Sequence, residues 1–444
     1  MKRFKRILLL LVLILGVIFY LNYPKLNIIS GYAAKNVASG VYVAHRSAAS
    51  MNQIDNNIPM IDLAVTELDE KQKSATSRVY GLMKRTAVYR EGLGAVLIND
   101  DYDPAKVVTV PRRNKVLDTL PYPYGQGEPR DSVFPEVDRD QINKAMAMAF
   151  ARPQEQKTRT LLILYQGHLL AERYVDGFDR DTPILGWSMT KSVLATCYGI
   201  LERQGKLKMD WPAPIPDWKD DGRRDITLDD LLRMQSGLEW DEDYNTISDV
   251  TRMLFLDSDM ALAQKEKKAI AGPGEVWNYS SGTSNLLSGI LRQQFRDHQD
   301  YLDFPYSALI DKIGMYSMVL EADMAGNYVG SSYAWASTRD WARFGQLYLD
   351  RGQWNGERLF DPEWVDYITT PTDHSNGTYG AHFWLNAQGK YPDVPKDLYS
   401  SNGYRGQYVF IVPSKNLVVV RTGLAEEPEF DVNGILSNII KALP

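Results

Sequence analysis

The apolar positions of this chain change period several times, and each change predicts an element. Fifteen uninterrupted apolar or aromatic residues, Ile7–Leu21 ("ILLLLVLILGVIFYL"), come after the basic start "MKRFKR". "GYAAKNVASGVYVAHR" then reads as a helix start or as an exposed strand of small residues. The runs "MIDLAVTEL", "SRVYGLM", "RTAVYR" and "GAVLIN" are short, β-branched and partly alternating, which suits strands. A stretch rich in proline and glycine, "LPYPYGQGEPRDSVFP", marks a boundary. Helical spacing resumes in "VDRDQINKAMAMAFAR", and "TRTLLILYQGHLLAERYVDG" places two apolar strands around a Gln166-Gly167 turn, a hairpin signature. A second hairpin, "GQYVFIVPSKNLVVVRTG", turns at Pro413–Asn416, and "DVNGILSNIIKAL" closes the chain with a helical pattern.

Between the hairpins the pattern is mostly helical: "TLDDLLRMQSG", "DVTRMLFLD", "SGTSNLLSGILRQQF" and "STRDWARFGQLYLDRG". Strands, then a long helical insert, then strands again predict an α/β fold. Its mixed, antiparallel sheet is built from both ends of one domain and flanked by helices, with a helical lobe beside it and a cleft between.

Composition narrows the classes of function. The chain is 44% hydrophobic and 24% charged, as ordinary folded proteins are. Its net charge of −6, without a long basic stretch beyond the N-terminus, speaks against nucleic acid as a partner. Cys197 is the single cysteine, so neither an internal disulfide nor a cysteine zinc cluster can form. The start of the chain says more. The run Ile7–Leu21 would cover roughly 23 Å as a helix, a little short of a bilayer core. The next residues, "NYPKLNIIS", lack an A-x-A-like cleavage pattern. The expectation is an uncleaved single-pass membrane anchor through residues 7–21, with a cytoplasmic N-terminus and the rest facing the periplasm or cell exterior. Secretion after signal cleavage is the alternative.

The candidate chemistry sits at "GWSMTKSVLATCYGILERQG", residues 186–205. Val193, Leu194, Cys197, Ile200 and Leu201 fall at helical spacing and Gly205 is a good stop. Ser188 and Lys191 then share one face of the first turn, where free N–H groups favour negative charge. A lysine that loses its proton through burial can accept the serine proton. Alone the motif is weak, since a chain of this size holds roughly one S-x-x-K by chance. In "PGEVWNYSSGTSNLLSGILRQ", Trp277 and Tyr279 alternate with Asn278, so Tyr279 either projects into the cleft or packs as a core aromatic. Gly403, Gly406 and the strand "QYVFIV" put bare backbone where a substrate can approach, or form a simple turn.

Together, "GWSMTKS", "LLRMQSGLEW", "PGEVWNYSSGTSN", "SSYAWASTRDWARFGQLYL" and "GQYVFIVPSKNLVVVR" resemble the penicillin-recognising serine hydrolases over residues 155–425. That family includes class C β-lactamases, D,D-carboxypeptidases, esterases and 6-aminohexanoate-dimer hydrolases, and the motifs resemble the last group most. The resemblance implies a β-lactamase/transpeptidase-like fold, with Ser188 as the acylated nucleophile and Lys191 and Tyr279 as general base and then acid. It also implies an oxyanion hole from the backbone N–H groups of Ser188 and Gln407. No cofactor and no metal are implied, and the partner is a small-molecule amide or ester. The five histidines (His45, His168, His298, His374, His382) show no ligand spacing, and there is no G-x-S-x-G elbow.

Two departures bear on the substrate. Tyr279-Ser280-Ser281 replaces Tyr-x-Asn, so the Ser281 hydroxyl stands in, as a substrate contact, for the amide that helps hold an amide substrate. Tyr404-Arg405-Gly406 replaces Lys-Thr-Gly; read as a strand, it puts Tyr404 and Gly406 on the cleft face and turns Arg405 away. An efficient β-lactamase is therefore not expected. Glu239, Asp241, Glu242, Asp243 and Tyr244 either line the cleft, with Glu239 and Tyr244 as substrate contacts, or form a solvated loop. The organisation expected is an anchor or signal segment (1–24), an extension with short strands (25–130) and a serine hydrolase domain (131–444). A cell-wall D,D-peptidase and a catalytically silent penicillin-binding-type module are the alternatives.

Overall fold

The computed structural model describes residues 2–105, 108–132 and 134–444, with the backbone alone of Lys2, Leu15, Ile18 and Leu21. The chain opens with one helix, α1 (Lys2–Tyr42), which runs through Pro24 without ending. Four strands come next: β1 (Ala64–Asp69), β2 (Ser74–Val79), β3 (Leu82–Arg90) and β4 (Gly94–Leu97). They form an antiparallel meander in chain order. The run "SRVYGLM" is thus cut in two. Tyr80 and Gly81 both take positive φ (51° and 76°), the backbone of a two-residue hairpin turn. "GYAAKNVASGVYVAHR" is helical as far as Tyr42. Its small residues form a seam, with Ala34, Val37 and Ala38 packing among Ala75, Ala87 and Ala95 of the sheet.

The membrane expectation is overturned here. Among the described residues, no helix is long and apolar enough to cross a membrane. A span needs about 20 predominantly apolar residues, and the run Ile7–Leu21 has fifteen. The helix carrying that run continues into the folded body, where Ile28, Ile29, Ala33 and Val37 are buried. The single-pass anchor, and the periplasmic or exterior placement deduced from it, do not stand.

The larger sheet has the predicted design. After α2 (Arg139–Phe150) come β5 (Thr158–Tyr165) and β6 (His168–Tyr174), then α3 (Met189–Arg203), α4 (Ser281–Gln293) and α5 (Thr338–Leu349). The strands β7 (Trp384–Leu385), β8 (Tyr399–Gly403), β9 (Gln407–Val412) and β10 (Leu417–Gly423) and helix α6 (Val432–Lys441) complete it. Strand order is β7-β8-β9-β10-β5-β6, antiparallel throughout, so early and late strands meet at the β10–β5 pair. Gln166 and Gly167 (φ 49° and 71°) turn β5 into β6 where the pattern places them.

Strand β10 reads as a continuous apolar run because both of its faces are covered. Val418 and Val420 join the core with α3 and α5, whereas Leu417 and Val419 join α2 and α6. The helical lobe stands on the α3 side, where the Tyr198 hydroxyl donates to the Leu287 carbonyl at 2.7 Å and ties α3 to α4. The start of α3 therefore lies where lobe and sheet meet.

Candidate active site

Ser188 is the N-cap of α3, and its side chain makes no capping hydrogen bond. Its hydroxyl is left for other partners. The turn before it is tightly held. A Cβ on Gly186 would lie 2.4 Å from Trp341, and Trp187 has φ of 48°, a left-handed backbone that a bulky residue adopts at a cost of about 1–3 kcal/mol. From the sheet side, Gly403 at the end of β8 comes so close that a Cβ on it would sit 2.0 Å from the Gly186 carbonyl oxygen. Gly403 thus serves backbone-to-backbone packing rather than leaving room for substrate. Gly403→Ala is expected to lower stability by about 1–3 kcal/mol through overpacking; an unchanged thermal midpoint would count against this contact.

Lys191 lies one turn along α3 and is 2% exposed. Its Nζ has three partners: Ser188 Oγ at 3.1 Å, Ser281 Oγ at 2.9 Å and the Ser331 carbonyl at 2.9 Å. Burial away from water lowers its pKa to about 8, and the charge of Glu242 pulls the other way. Glu242 connects through Ser281, whose hydroxyl donates to Oε1 at 2.5 Å and whose backbone N–H donates to Oε2 at 2.8 Å. Trp240 Nε1 (2.5 Å) and the Tyr244 hydroxyl (3.1 Å) also donate to this carboxylate.

Tyr279 stands beside the pair, with Lys191 Nζ 4.9 Å from its ring centroid and a hydrogen bond to Ser188. Loss of water around the phenol, then the charge of Glu242, raises its pKa well above the ordinary value, and the Ser188 bond opposes them. Around it, Trp277, Tyr379 and Trp384 form one aromatic cluster. On the other wall, Tyr244 stacks on Tyr404 at 5.2 Å, and Tyr404 meets Trp187 edge-on at 5.5 Å.

Four expectations change. Ser281 is fully buried between Lys191 and Glu242, so it is a link inside the site rather than a cleft contact. Glu239 is exposed and its backbone pairs with Lys268; the carboxylate that reaches Ser281, one of the lysine's three partners, is Glu242. Tyr404-Arg405-Gly406 is a turn between β8 and β9, not a strand, since Arg405 and Gly406 both take positive φ (62° and 82°). Gly406 faces inward, where a Cβ would lie 2.2 Å from the Ala425 carbonyl, so no space for substrate opens there. Arg405 does point away, its Nη1 donating to the Asp55 carbonyl at 3.3 Å. Gln407 begins β9, and its side-chain amide donates to the carbonyls of Tyr404, Arg405 and Gly423, pinning the turn. Tyr379 and Trp384 lie about a hundred residues beyond Tyr279, in "TYGAHFWL", and carried no sequence signal linking them to the site.

A family model described as Beta-lactamase matches residues 150–434. The 6-aminohexanoate-dimer hydrolase of Paenarthrobacter ureafaciens is 24% identical over 351 residues, 71% of this chain and 86% of that protein. A penicillin-binding protein homolog from Caulobacter crescentus superposes with a TM-score of 0.52 at 15% identity, covering 69% of this chain and 99% of that one. A family VIII carboxylesterase superposes with a TM-score of 0.51 at 16% identity, covering 71% of this chain and 100% of that one. At such identities the two structures show the shared fold alone. The family model takes in more than half of the sequence, and with it Ser188, Lys191, Tyr279 and both hairpins of the larger sheet: the chain belongs to the beta-lactamase family.

Proposed function

We propose that this chain hydrolyses small esters or amides, short linear oligoamides included, through an acyl-enzyme on Ser188. The observation that carries the reading is the buried Lys191 amine 3.1 Å from Ser188 Oγ, with a pKa near 8. A neutral amine has two N–H donors and one lone pair. Ser281 Oγ already donates its own proton to Glu242, so it accepts from Nζ, and the Ser331 carbonyl can only accept. Both N–H groups are thereby committed, and the lone pair faces the Ser188 hydroxyl.

Ser188 Oγ attacks the substrate carbonyl carbon as its proton passes to Nζ, and the oxyanion is held by the N–H groups of Ser188 and Gln407. Collapse breaks the bond to the alcohol or amine, which takes the proton from the ammonium by way of the Tyr279 phenol. Water then attacks the acyl group, Lys191 takes its proton, and Ser188 leaves with its hydroxyl restored. The raised pKa of Tyr279 keeps it a neutral donor, which assigns the base role to Lys191.

The aromatic walls and the turned-away Arg405 favour an apolar acyl chain over an anionic lactam, in keeping with the relatives named for linear-amide and ester hydrolysis. The cell-wall reading leaned on an anchored external enzyme and loses that support, while the converging Ser188, Lys191 and Tyr279 argue against a silent module. The test is turnover of p-nitrophenyl esters, 6-aminohexanoate dimer and nitrocefin, with mass spectrometry after a fluorophosphonate. Ester turnover, weak nitrocefin turnover and an adduct on Ser188 are expected; no adduct on Ser188 would end the proposal. Glu242→Gln removes the charge that raises the Lys191 pKa. The rise of kcat/KM with pH, centred near 8 in the wild type, is therefore expected to move to lower pH. An unmoved profile would show that Glu242 does not set the lysine.

A further inference from the structure

We infer that α1, which stands outside the matched residues 150–434, is a positioning element for the nucleophile, acting through Tyr32 and Trp187; this rests on Ser188 being that nucleophile. The residue before Ser188 holds a backbone conformation it would not choose alone, φ 48° at a tryptophan, so its surroundings must impose it. Three rings hold the Trp187 side chain. Tyr32 of α1 lies nearly parallel to it at 6.1 Å, Tyr333 sits at 6.1 Å, and Tyr404 meets it edge-on at 5.5 Å. Two of these three depend on α1. Tyr32 is carried by the helix itself and braced by Phe255 at 5.4 Å.

One helical turn on, Lys35 lies over the Tyr333 ring at 4.0 Å and ion-pairs with the buried Glu321 at 2.5 Å. That carboxylate is further locked by Ser39, Trp335 and the Ala95 N–H. The helix is therefore pinned by a buried polar network within a few residues of the contact it makes on Trp187.

The consequence falls on one peptide group. The Trp187 carbonyl accepts from the Thr190 N–H at 2.9 Å and the Thr190 hydroxyl at 2.6 Å. The Ser188 N–H belongs to the same planar unit, so its direction is set with it. That N–H is one of the two proposed oxyanion donors. Releasing Trp187 would turn it away from the developing charge, whereas Lys191 keeps Ser281 and the Ser331 carbonyl and Tyr279 keeps Tyr379 and Trp384. Transition-state stabilisation is lost and ground-state binding is kept.

In the full-length protein, Tyr32→Ala is expected to lower kcat on a p-nitrophenyl ester by roughly tenfold or more. KM and the midpoint of the pH profile should stay within about twofold and a few tenths of a unit, since they report other groups. The rate of fluorophosphonate labelling at Ser188 should fall in parallel, and Tyr32→Phe, which keeps the ring, should restore both. A helix that merely stabilised the fold would change the thermal midpoint and the yield of folded protein but not this split. Should Tyr32→Ala fail to fold, Tyr32→Leu keeps most of the buried volume and is judged by the same readouts. Folded Tyr32→Ala or Tyr32→Leu with wild-type kcat and labelling rate overturns the inference alone. A wild-type protein that takes no label at Ser188 overturns the nucleophile assignment, and the inference with it.

Discussion

Ser188→Ala is expected to remove covalent labelling and to lower ester turnover by roughly 10⁴–10⁶-fold, while the thermal midpoint stays within a few degrees of the wild type. Both parts stem from the same geometry. The hydroxyl makes no capping bond, so its loss does not open the start of α3. Lys191 keeps Ser281 and the Ser331 carbonyl as partners, so no amine is orphaned. The atom proposed to form the acyl bond disappears, and the residual rate expected is that of water attacking a bound substrate beside the proposed oxyanion donors. Steady-state kinetics with intact-mass measurement decide it. Retained turnover in a folded Ser188→Ala protein would remove the mechanism whatever else held.

Lys191→Met should cost about 10²–10⁴-fold in kcat/KM, the usual worth of a positioned base, and abolish the rise of activity centred near pH 8. Its effect on stability has a separate signature. The folded pKa of about 8 lies below the ordinary 10.5, so between these values the unfolded chain binds the extra proton and the folded chain does not. The penalty for burying this amine is therefore full below pH 8 and is relieved as pH rises to about 10.5. Converted by linkage it amounts to roughly 3 kcal/mol. Methionine carries no such proton. Relative to wild type, the variant should thus look more stable at pH 7 than at pH 10.5, although Ser281 and Ser331 each lose a donor at both pH values. Denaturant midpoints at the two pH values test this, and parallel pH dependence in the two proteins would show that Lys191 is not the group whose burial matters.

Local regularities made much of the fold and part of the site legible. Helical spacing from Val193 to Leu201 put Ser188 and Lys191 one turn apart, and one turn is what brings Nζ to 3.1 Å from Oγ. Alternation through Trp277-Asn278-Tyr279 leaves the tyrosine either in the cleft or in an aromatic cluster, and the structure sets it both beside Lys191 and against Tyr379 and Trp384, while the Gln166-Gly167 turn sits where two apolar runs meet. The acidic loop resisted the same reasoning. Glu239 and Glu242 are three residues apart in one polar stretch, and which of them reaches Ser281 depends on how the loop folds over α4. Strand alternation does not extend through Tyr404-Arg405-Gly406, because the positive φ values at Arg405 and Gly406 make it a turn.

The sequence by itself determined the properties that need only neighbours along the chain: the hairpins, the helical insert, and the serine–lysine spacing. Tertiary structure alone decided the rest. It chose Glu242, buried Ser281 as a link, turned Gly403 into a packing contact against Gly186, and set Tyr32 on Trp187, 155 residues away. It also carried the second half of α1 into the folded body, where an apolar run read alone had suggested a bilayer. The physical reason is common to all of these. Backbone propensity and periodicity act over one or two turns, whereas burial, charge proximity and the closeness of two backbones exist only after distant segments have met.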